Sequence, residues 1–214
     1  MTRKRGGRPQ DHYARRAKEE GWLARSAYKI EELDRKYRLF RPADSVLDLG
    51  ASPGSWLQYA LRRAPRGIVV GVDAKPLDPK VAGRAAFVQA DVFELEAAEL
   101  RRFAQDYDIV LSDLAPATSG DAFVDSQRSL RLAERALEVA LALLRPGGRF
   151  VVKLFQGEDF ERYRARLVES FETVRVFKPK SSRQESKEVY LVGLGAKDIT
   201  GGGPACPDTA SGAP

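Results

Sequence analysis

One cysteine, one histidine and one methionine among 214 residues remove several kinds of chemistry at the outset. Cys206 has no second cysteine to pair with, so no internal disulfide forms, which fits a reducing, cytoplasmic setting. There is no Cys/His cluster, so no metal is expected, and the single His12 reads as a solvated residue of a charged stretch. No window approaches the roughly 18 consecutive apolar residues of a membrane span. The basic N-terminus is not followed by the apolar segment of a secretory signal. Gly (18) and Pro (12) are near average, which excludes collagen-like and low-complexity chains. A soluble monomer is expected.

What is present is core-forming material. A hydrophobic fraction of 43% in 23.7 kDa suits one medium-sized domain with a substantial interior. Charge is unevenly placed. The formal net charge is +6, and residues 1–38 hold twelve basic against six acidic side chains, so the rest of the chain balances to zero. A surplus on one arm is what phosphate contact needs, because each neutralised phosphate releases counterions. The plainer alternative is a solvated tail whose charge serves solubility.

Three segments are expected: a basic, flexible arm over 1–20, a folded domain over 21–197, and a disordered tail over 198–214. Ala27, Ile30, Leu33 and Tyr37 recur at helical spacing, with Ser26 as candidate N-cap. Then β-rich runs at 45–49, 68–73, 86–90, 108–111, 149–155, 174–177 and 189–194 alternate with helical stretches. The clearest helix spans 125–144 and is stopped by Pro146-Gly147-Gly148. A second carries Phe160, Tyr163, Leu167 and Phe171 on one face, with Glu158 and Asp159 at its positive end. This alternation predicts an α/β fold, a Rossmann-like, mostly parallel seven-stranded sheet. The polar loop 178–187, with no helix between the last two strands, predicts a terminal antiparallel hairpin.

The run Val46-Leu47-Asp48-Leu49-Gly50-Ala51-Ser52-Pro53-Gly54-Ser55-Trp56 is an apolar strand that ends in an acid and passes through small residues into a helix. Ligands of such sheets bind beyond the carboxyl ends of the strands, and small residues let the backbone come close. Asp73 ends the next strand, where a carboxylate can accept both hydroxyls of a cofactor ribose. Asp91 follows the third strand and could accept from an adenine amino group. A dinucleotide site needs G-x-G-x-x-G around a pyrophosphate. Here the loop is G-A-S-P-G, and Asp48 would face any phosphate. S-adenosylmethionine carries an ammonium group and no phosphate, so charge favours it over NAD. Each acid alone is also ordinary turn chemistry; three ending successive strands beside one small-residue loop are not.

Asp113 follows the strand Ile109-Val110-Leu111-Ser112 on the same rim. Lys153 interrupts the apolar strand Phe150-Val151-Val152-Lys153-Leu154-Phe155. A lysine there either snorkels to the strand end or finds a partner, and Asp113 on the neighbouring strand is the candidate partner. Trp56 reads equally as a contact of the cofactor loop and as core packing.

With these residues in place, the chain resembles the FtsJ/RrmJ family of RNA 2′-O-ribose methyltransferases from about Arg25 to Gly195. The resemblance is carried by Arg25-Ser26-Ala27-Tyr28-Lys29, Asp48 to Trp56, Ser112-Asp113-Leu114-Ala115-Pro116 and Val152-Lys153-Leu154-Phe155-Gln156-Gly157. It continues through Lys178-Pro179, Ser182-Arg183 and Glu188-Val189-Tyr190. It implies a Lys–Asp–Lys–Glu tetrad at Lys29, Asp113, Lys153 and Glu188, with cofactor positions at Gly54, Trp56, Asp73, Asp91 and Asp113. It also implies a substrate in large-subunit (23S) ribosomal RNA, a uridine acted on in the assembled or nearly assembled subunit. Two departures stand out: Ser52 and Ser55 in the small-residue loop, and Ala117 where the family often has asparagine, which puts one loop contact in question.

Transfer from a sulfonium to a hydroxyl is an in-line displacement, and Lys153 is the candidate nearest that hydroxyl. A neutral lysine could act as general base, and a charged one could orient the oxygen; the sequence leaves both open. RNA contact is expected from Arg3, Lys4, Arg5, Arg8, Arg15, Arg16 and Lys18, then Arg25, Lys178, Lys180 and Arg183. The rival readings are a methyltransferase of transfer RNA or another RNA, a non-catalytic RNA-binding or ribosome-assembly factor, and an NAD-dependent oxidoreductase.

Overall fold

Apolar runs of four to six residues, bounded by turn residues and amphipathic stretches, fold here as strands alternating with helices. The structure is a computed structural model that describes residues 9–182 and 186–198, with side chains from residue 12 onward. In chain order the elements are α1 (Pro9–Glu19), α2 (Ala27–Tyr37), β1 (Val46–Leu49), α3 (Ser55–Arg63), β2 (Val69–Asp73), β3 (Ala86–Gln89), α4 (Ala97–Arg101) and β4 (Tyr107–Ser112). There follow α5 (Ala122–Leu143), β5 (Leu144–Phe155), α6 (Phe160–Ser170), β6 (Phe171–Phe177) and β7 (Glu188–Ala196).

The strands form one seven-stranded sheet in the order β3-β2-β1-β4-β5-β7-β6. β1 to β5 pair in parallel, whereas β7 runs antiparallel to both β5 and β6. The crossover from β5 through α6 leaves a gap beside β5, and β7 fills it. All four residues of β1 are buried, as expected of a strand covered by helices on both faces. Side chains alternate between those faces. Phe150, Val152 and Leu154 pack towards α5 and α6, with Leu137 and Leu167. Val151, Ile109 and Leu111 pack towards α2 and α3, with Ile30, Leu33 and Leu57. Lys153 therefore falls on the α2 side. The chain builds outward from β1 in one direction through β2 and β3, then in the other through β4, which opens a crevice at the carboxyl ends of β1 and β4. Among the described residues no helix is long and apolar enough to cross a membrane.

Several expectations need correction. Residues 9–19 of the supposed flexible arm form α1, whose Ala17 is buried and whose Tyr13 meets Tyr28 of α2 at 5.6 Å between ring centroids. Spacing alone hid this helix because only one face carries small or aromatic residues. Ser26 precedes α2 but makes no cap bond; its hydroxyl hydrogen-bonds that of Ser55 at 2.7 Å. The long helix starts three residues earlier than its apolar face suggested. Asp121 caps it, accepting from the amides of Phe123 and Val124. Pro146-Gly147-Gly148 is not a turn after the helix but part of β5: Leu144 pairs with Tyr107 and Arg149 with Ile109, so the extra residues bulge out. Phe171 opens β6 and does not belong to α6. Residues 1–8, 183–185 and 199–214 lie outside the described residues.

Candidate active site

The turn after β1 is built for close approach. Gly50 has φ +85°, and a Cβ there would sit 2.9 Å from the Leu114 nitrogen, so the chain after β4 can lie against it. The amides of Gly50 and Ala51 both donate to the Val72 carbonyl at 2.9 and 3.1 Å, tying this turn to β2. Beyond it opens a crevice of about 350 Å³ whose wall includes Gly50, Asp73, Asp91, Asp113, Leu114 and Leu132.

The crevice is acidic, and among the described residues Asp73 and Asp91 on its wall form no ion pair. Asp73 accepts from the amides of Ser52 and Lys75 at 2.9 and 2.8 Å, which fixes the carboxylate and leaves lone pairs towards the cavity. Asp91 is exposed and accepts from the Phe93 amide at 3.0 Å. Asp48 is fully buried behind the wall, and neither of its oxygens has a hydrogen-bond partner. Burial, and then the charges of Asp113 and Asp73, push its carboxyl well above the usual carboxylate range. A buried acid without a donor is a standing demand for a cation or a proton. This set of acceptors suits a cationic, phosphate-free ligand and repels a pyrophosphate.

At the other end of the same rim, β4 and β5 bring Asp113 and Lys153 together. Lys153 Nζ donates to Asp113 Oδ1 at 2.9 Å and to the Asp113 carbonyl. Glu188 opens β7, and its Oε1 lies 2.7 Å from Lys29 Nζ, one turn into α2. Tyr190 joins the two ion pairs. Its hydroxyl donates to Asp113 Oδ1 at 2.8 Å, and Lys29 Nζ stands 5.8 Å from the centre of its ring. Lys153 is 5% exposed and the other three side chains 12–18%, so the cluster is sheltered but reachable. Burial alone would raise the Asp113 carboxyl; the charges of Lys153 and Lys29, with hydrogen bonds from Lys153 and Tyr190, outweigh it and hold the group below its ordinary value. Tyr190 is pushed well up, first by burial and then by the charges of Asp113 and Glu188, so it stays a donor.

Two further acids shape the loops around the cluster. Glu32, one turn after Lys29, accepts from the amides of Lys180 and Ser181 at 2.7 and 3.0 Å, clamping the start of the β6–β7 loop to α2. That loop returns through Ser182, whose hydroxyl donates to Glu188 Oε1 at 2.9 Å. Asp125 folds the loop after β4, accepting from the Ser119 amide and hydroxyl at 2.7 and 2.8 Å and from the Gly120 amide at 3.3 Å. Ala117, in the position where an asparagine was expected, takes a contact through its carbonyl from Arg128 at 3.3 Å.

Of the residues singled out from sequence, the structure brings Lys29, Asp113, Lys153 and Glu188 into one cluster. Gly50, Asp73, Asp91 and Asp113 lie on the crevice wall; Asp48, Pro53, Gly54 and Trp56 do not. Pro53 is exposed and its carbonyl accepts from the Asp78 amide. Gly54 immediately precedes α3 with φ +117°, against Val81. Trp56 is a core residue, its indole N–H donating to the Ser26 carbonyl at 2.9 Å and its ring 5.8 Å from that of Tyr190. Tyr190, Glu32 and Asp125 were missed as contributors. Tyr190 lies in the Glu188-Val189-Tyr190 motif, and an aromatic residue in a strand gives no signal of its own beyond ordinary core packing. Glu32 shares a helical face with Lys29, which is a weak signal without knowledge of the loop opposite. The basic residues divide. Arg3, Lys4, Arg5, Arg8 and Arg183 lie outside the described residues. On α1, Arg15 pairs with Glu19, Arg16 pairs with Glu20 and lies over the Tyr28 ring, and Lys18 is exposed. Arg25 is half-buried just before α2, while Lys178 and Lys180 are exposed on the β6–β7 loop. Tyr13, Arg16, Lys36, Phe177 and Lys180 line an open groove of about 420 Å³ there.

Comparison with known proteins finds relatives over most of the chain. A protein from Bdellovibrio bacteriovorus named ribosomal RNA large subunit methyltransferase E is 46% identical over 193 residues, covering 88% of this chain and 98% of its own. One of the same name from Desulfosudis oleivorans is 43% identical over 197 residues, covering 92% and 95%. Among solved structures, a ribosomal RNA methyltransferase from Plasmodium falciparum superposes with a TM-score of 0.73 at 29% identity, covering 82% of this chain and 98% of that one. Residues 22–196 match the family described as FtsJ-like methyltransferase, and the chain belongs to that family.

Proposed function

We propose that this chain transfers a methyl group from S-adenosylmethionine to a ribose 2′-hydroxyl of large-subunit ribosomal RNA, with a uridine as target. The observation that carries the reading is the pair of lysine–carboxylate contacts, Lys153–Asp113 and Lys29–Glu188, tied through Tyr190 beside an acid-walled crevice. The names of the relatives supply the substrate class.

S-adenosylmethionine, when bound, supplies a methyl group on a positively charged sulfur. Asp73 and Asp91 are assigned to its sugar and base, and Asp48 to its ammonium group, through water or a shift of the β1 turn. Asp113 stands at the junction of the two ends. Two of the three N–H donors of Lys153 point at Asp113, which leaves one for the attacking hydroxyl oxygen. In that form Lys153 would orient the oxygen and stabilise the charge developing on it; as a free amine it would take the hydroxyl proton, the methyl group passing to oxygen as its bond to sulfur breaks and a neutral thioether leaves. Lys29 and Glu188 fix the far side of the cluster, and the rigid setting holds the reacting atoms in line. The 2′-hydroxyl distinguishes RNA from DNA. RNA backbone contact is assigned to the arm, Arg25 and the β6–β7 loop.

The test is transfer of labelled methyl to undermethylated large ribosomal subunits, followed by mapping of the labelled nucleotide. The expected result is a single ribose carrying the label at its 2′-oxygen. A label on a base, or none in subunit RNA, overturns the reading.

A further inference from the structure

Two cavities flank the lysine–carboxylate cluster, and a methyl donor in the acidic crevice uses only one of them. The second, about 280 Å³, is lined by Thr118, Gly120, Asp125, Phe155, Ser186 and Lys187, together with Ala122. Strand register fixes where it lies. Phe155 stands directly across from Glu188 in the β5–β7 pair and two residues beyond Lys153, hence on the same side of the sheet as both. Lys187 immediately precedes Glu188. Asp113, at the opposite side of the cluster, lines the acidic crevice. The cluster thus borders both openings, the first through Asp113 itself and the second through Phe155 and Lys187, the neighbours of Glu188. An in-line displacement brings the nucleophile in from the side away from the leaving group, so the acceptor enters where the donor does not.

The chemistry of the lining separates a base from a phosphate. Phe155 offers a half-buried aromatic ring at the end of its strand. Thr118 and Ser186 add hydroxyls that can donate or accept. Asp125 is a fixed anion on this wall: hydrogen bonds from Ser119 and Gly120 outweigh the effect of burial and keep it ionised. A fixed anion repels phosphate but tolerates a neutral heterocycle, and Lys187 offsets its field. The volume falls just under the range of about 300–1,000 Å³ typical of clefts for drug-sized ligands, which suits one ring system and not a length of backbone.

We infer that this second cavity receives the base of the nucleotide being methylated, turned out of its stack and laid against Phe155, with Thr118, Ser186 and Lys187 along its polar edge. The inference rests on the rRNA methyltransferase reading given above. It explains why the loop after β4 is held by three hydrogen bonds to Asp125: that loop is one wall of the base site.

The test compares wild type, Phe155→Leu and Phe155→Tyr on undermethylated large ribosomal subunits with labelled S-adenosylmethionine. Leucine keeps apolar volume without a flat ring, whereas tyrosine keeps the ring. Phe155→Leu is expected to raise KM for the subunits at least fivefold, the lower end of what one base–aromatic stack contributes, with a smaller change in kcat. Affinity for S-adenosylmethionine, measured by calorimetry, is expected to stay at the wild-type value, and Phe155→Tyr to keep a near wild-type KM. Equal KM for all three proteins overturns the base site, and so does equal impairment of Leu and Tyr, which marks a packing role. A wild-type chain that labels no subunit RNA overturns the proposed function and this inference with it; labelling that is indifferent to Phe155 overturns the inference alone.

Discussion

The two ends of the carboxyl rim treat negative charge in opposite ways. At the reacting end each carboxylate has its own lysine: Asp113 with Lys153, Glu188 with Lys29. At the crevice, among the described residues, Asp73 and Asp91 on the wall and Asp48 behind it form no ion pair, and the Asp48 carboxyl has no hydrogen-bond partner. A paired cluster is complete before any ligand arrives, so its geometry is set in advance, which is what orientation of a reacting oxygen requires. An unpaired cluster is complete only when a cation enters, which is what recognition of a charged donor requires. The difference teaches a division of labour: one end is preorganised, the other is filled.

The comparison breaks most visibly at Lys153. Lys153→Ala removes the donor facing the acceptor oxygen and is expected to lower kcat by about 10²–10³-fold, the usual cost of losing one such donor. Binding of S-adenosylmethionine and of subunit RNA should persist, because Asp73, Asp91 and the basic loops are untouched. Calorimetry beside single-turnover transfer decides the matter. A fall in cofactor affinity as large as the fall in turnover shows that the two ends are one unit, and the division fails.

Asp48 sharpens the comparison from the other side. Burial, aided by Asp113 and Asp73, raises its carboxyl well above the usual carboxylate range, so the folded chain holds this proton more tightly than the unfolded one. The stability gained from that proton is present at low pH and lost as pH rises from the unfolded value through the raised folded one. Asp48→Asn is therefore expected to resist unfolding better than wild type at neutral pH, seen as a higher urea midpoint. It should also weaken S-adenosylmethionine about tenfold, ~1.4 kcal/mol. Wild-type affinity should rise with pH as Asp48 ionises and that of the variant should stay flat; parallel pH curves would show that Asp48 does not meet the ligand.

Glu32 carries a smaller effect. Glu32→Ala frees the amides of Lys180 and Ser181 and loosens the loop that reaches Glu188 through Ser182. KM for subunit RNA is expected to rise about fivefold, ~1 kcal/mol, the net worth of a typical hydrogen bond. Cofactor affinity should not move. An effect on cofactor binding, or none on RNA, removes Glu32 from the reacting end.

These residues also mark how far the sequence could be read. The strands were legible because each is a short apolar run between turn residues, and Lys153 with Asp113 because a lysine in an apolar strand stands out and needs a partner; Lys29 and Glu188 came only through the family resemblance. Asp48 was legible as an acid but not as one sealed behind the wall, since burial depends on how the β1 turn closes on Leu114. α1 was not legible: its burial rests on Ala17 and Tyr13, which give almost no apolar periodicity. Pro146-Gly147-Gly148 misled because a bulge and a turn use the same residues, and only pairing with Tyr107 and Ile109 tells them apart. Glu32, Asp125 and Tyr190 escaped because each acts on a segment distant in sequence or on loop backbone, and no local pattern records such partners.

Tyr190 carries the smallest of these effects and the most specific one. Its hydroxyl gives Asp113 a second donor beside Lys153, so Tyr190→Phe removes one hydrogen bond from a charged oxygen while keeping the ring against Trp56. Turnover is expected to fall about threefold, ~0.7 kcal/mol, within the net range of such bonds. The informative readout is the pH profile. A donor to the ionised carboxylate holds its pKa down, so its loss raises the Asp113 value, and activity on the acid side should fade at higher pH than in wild type. The alkaline limb should not move, because burial and the neighbouring carboxylates already keep the Tyr190 proton in place there. A shifted alkaline limb with a fixed acid limb would make Tyr190 a titrating group of the reaction and would undo the view that the reacting end is fully paired before substrate arrives.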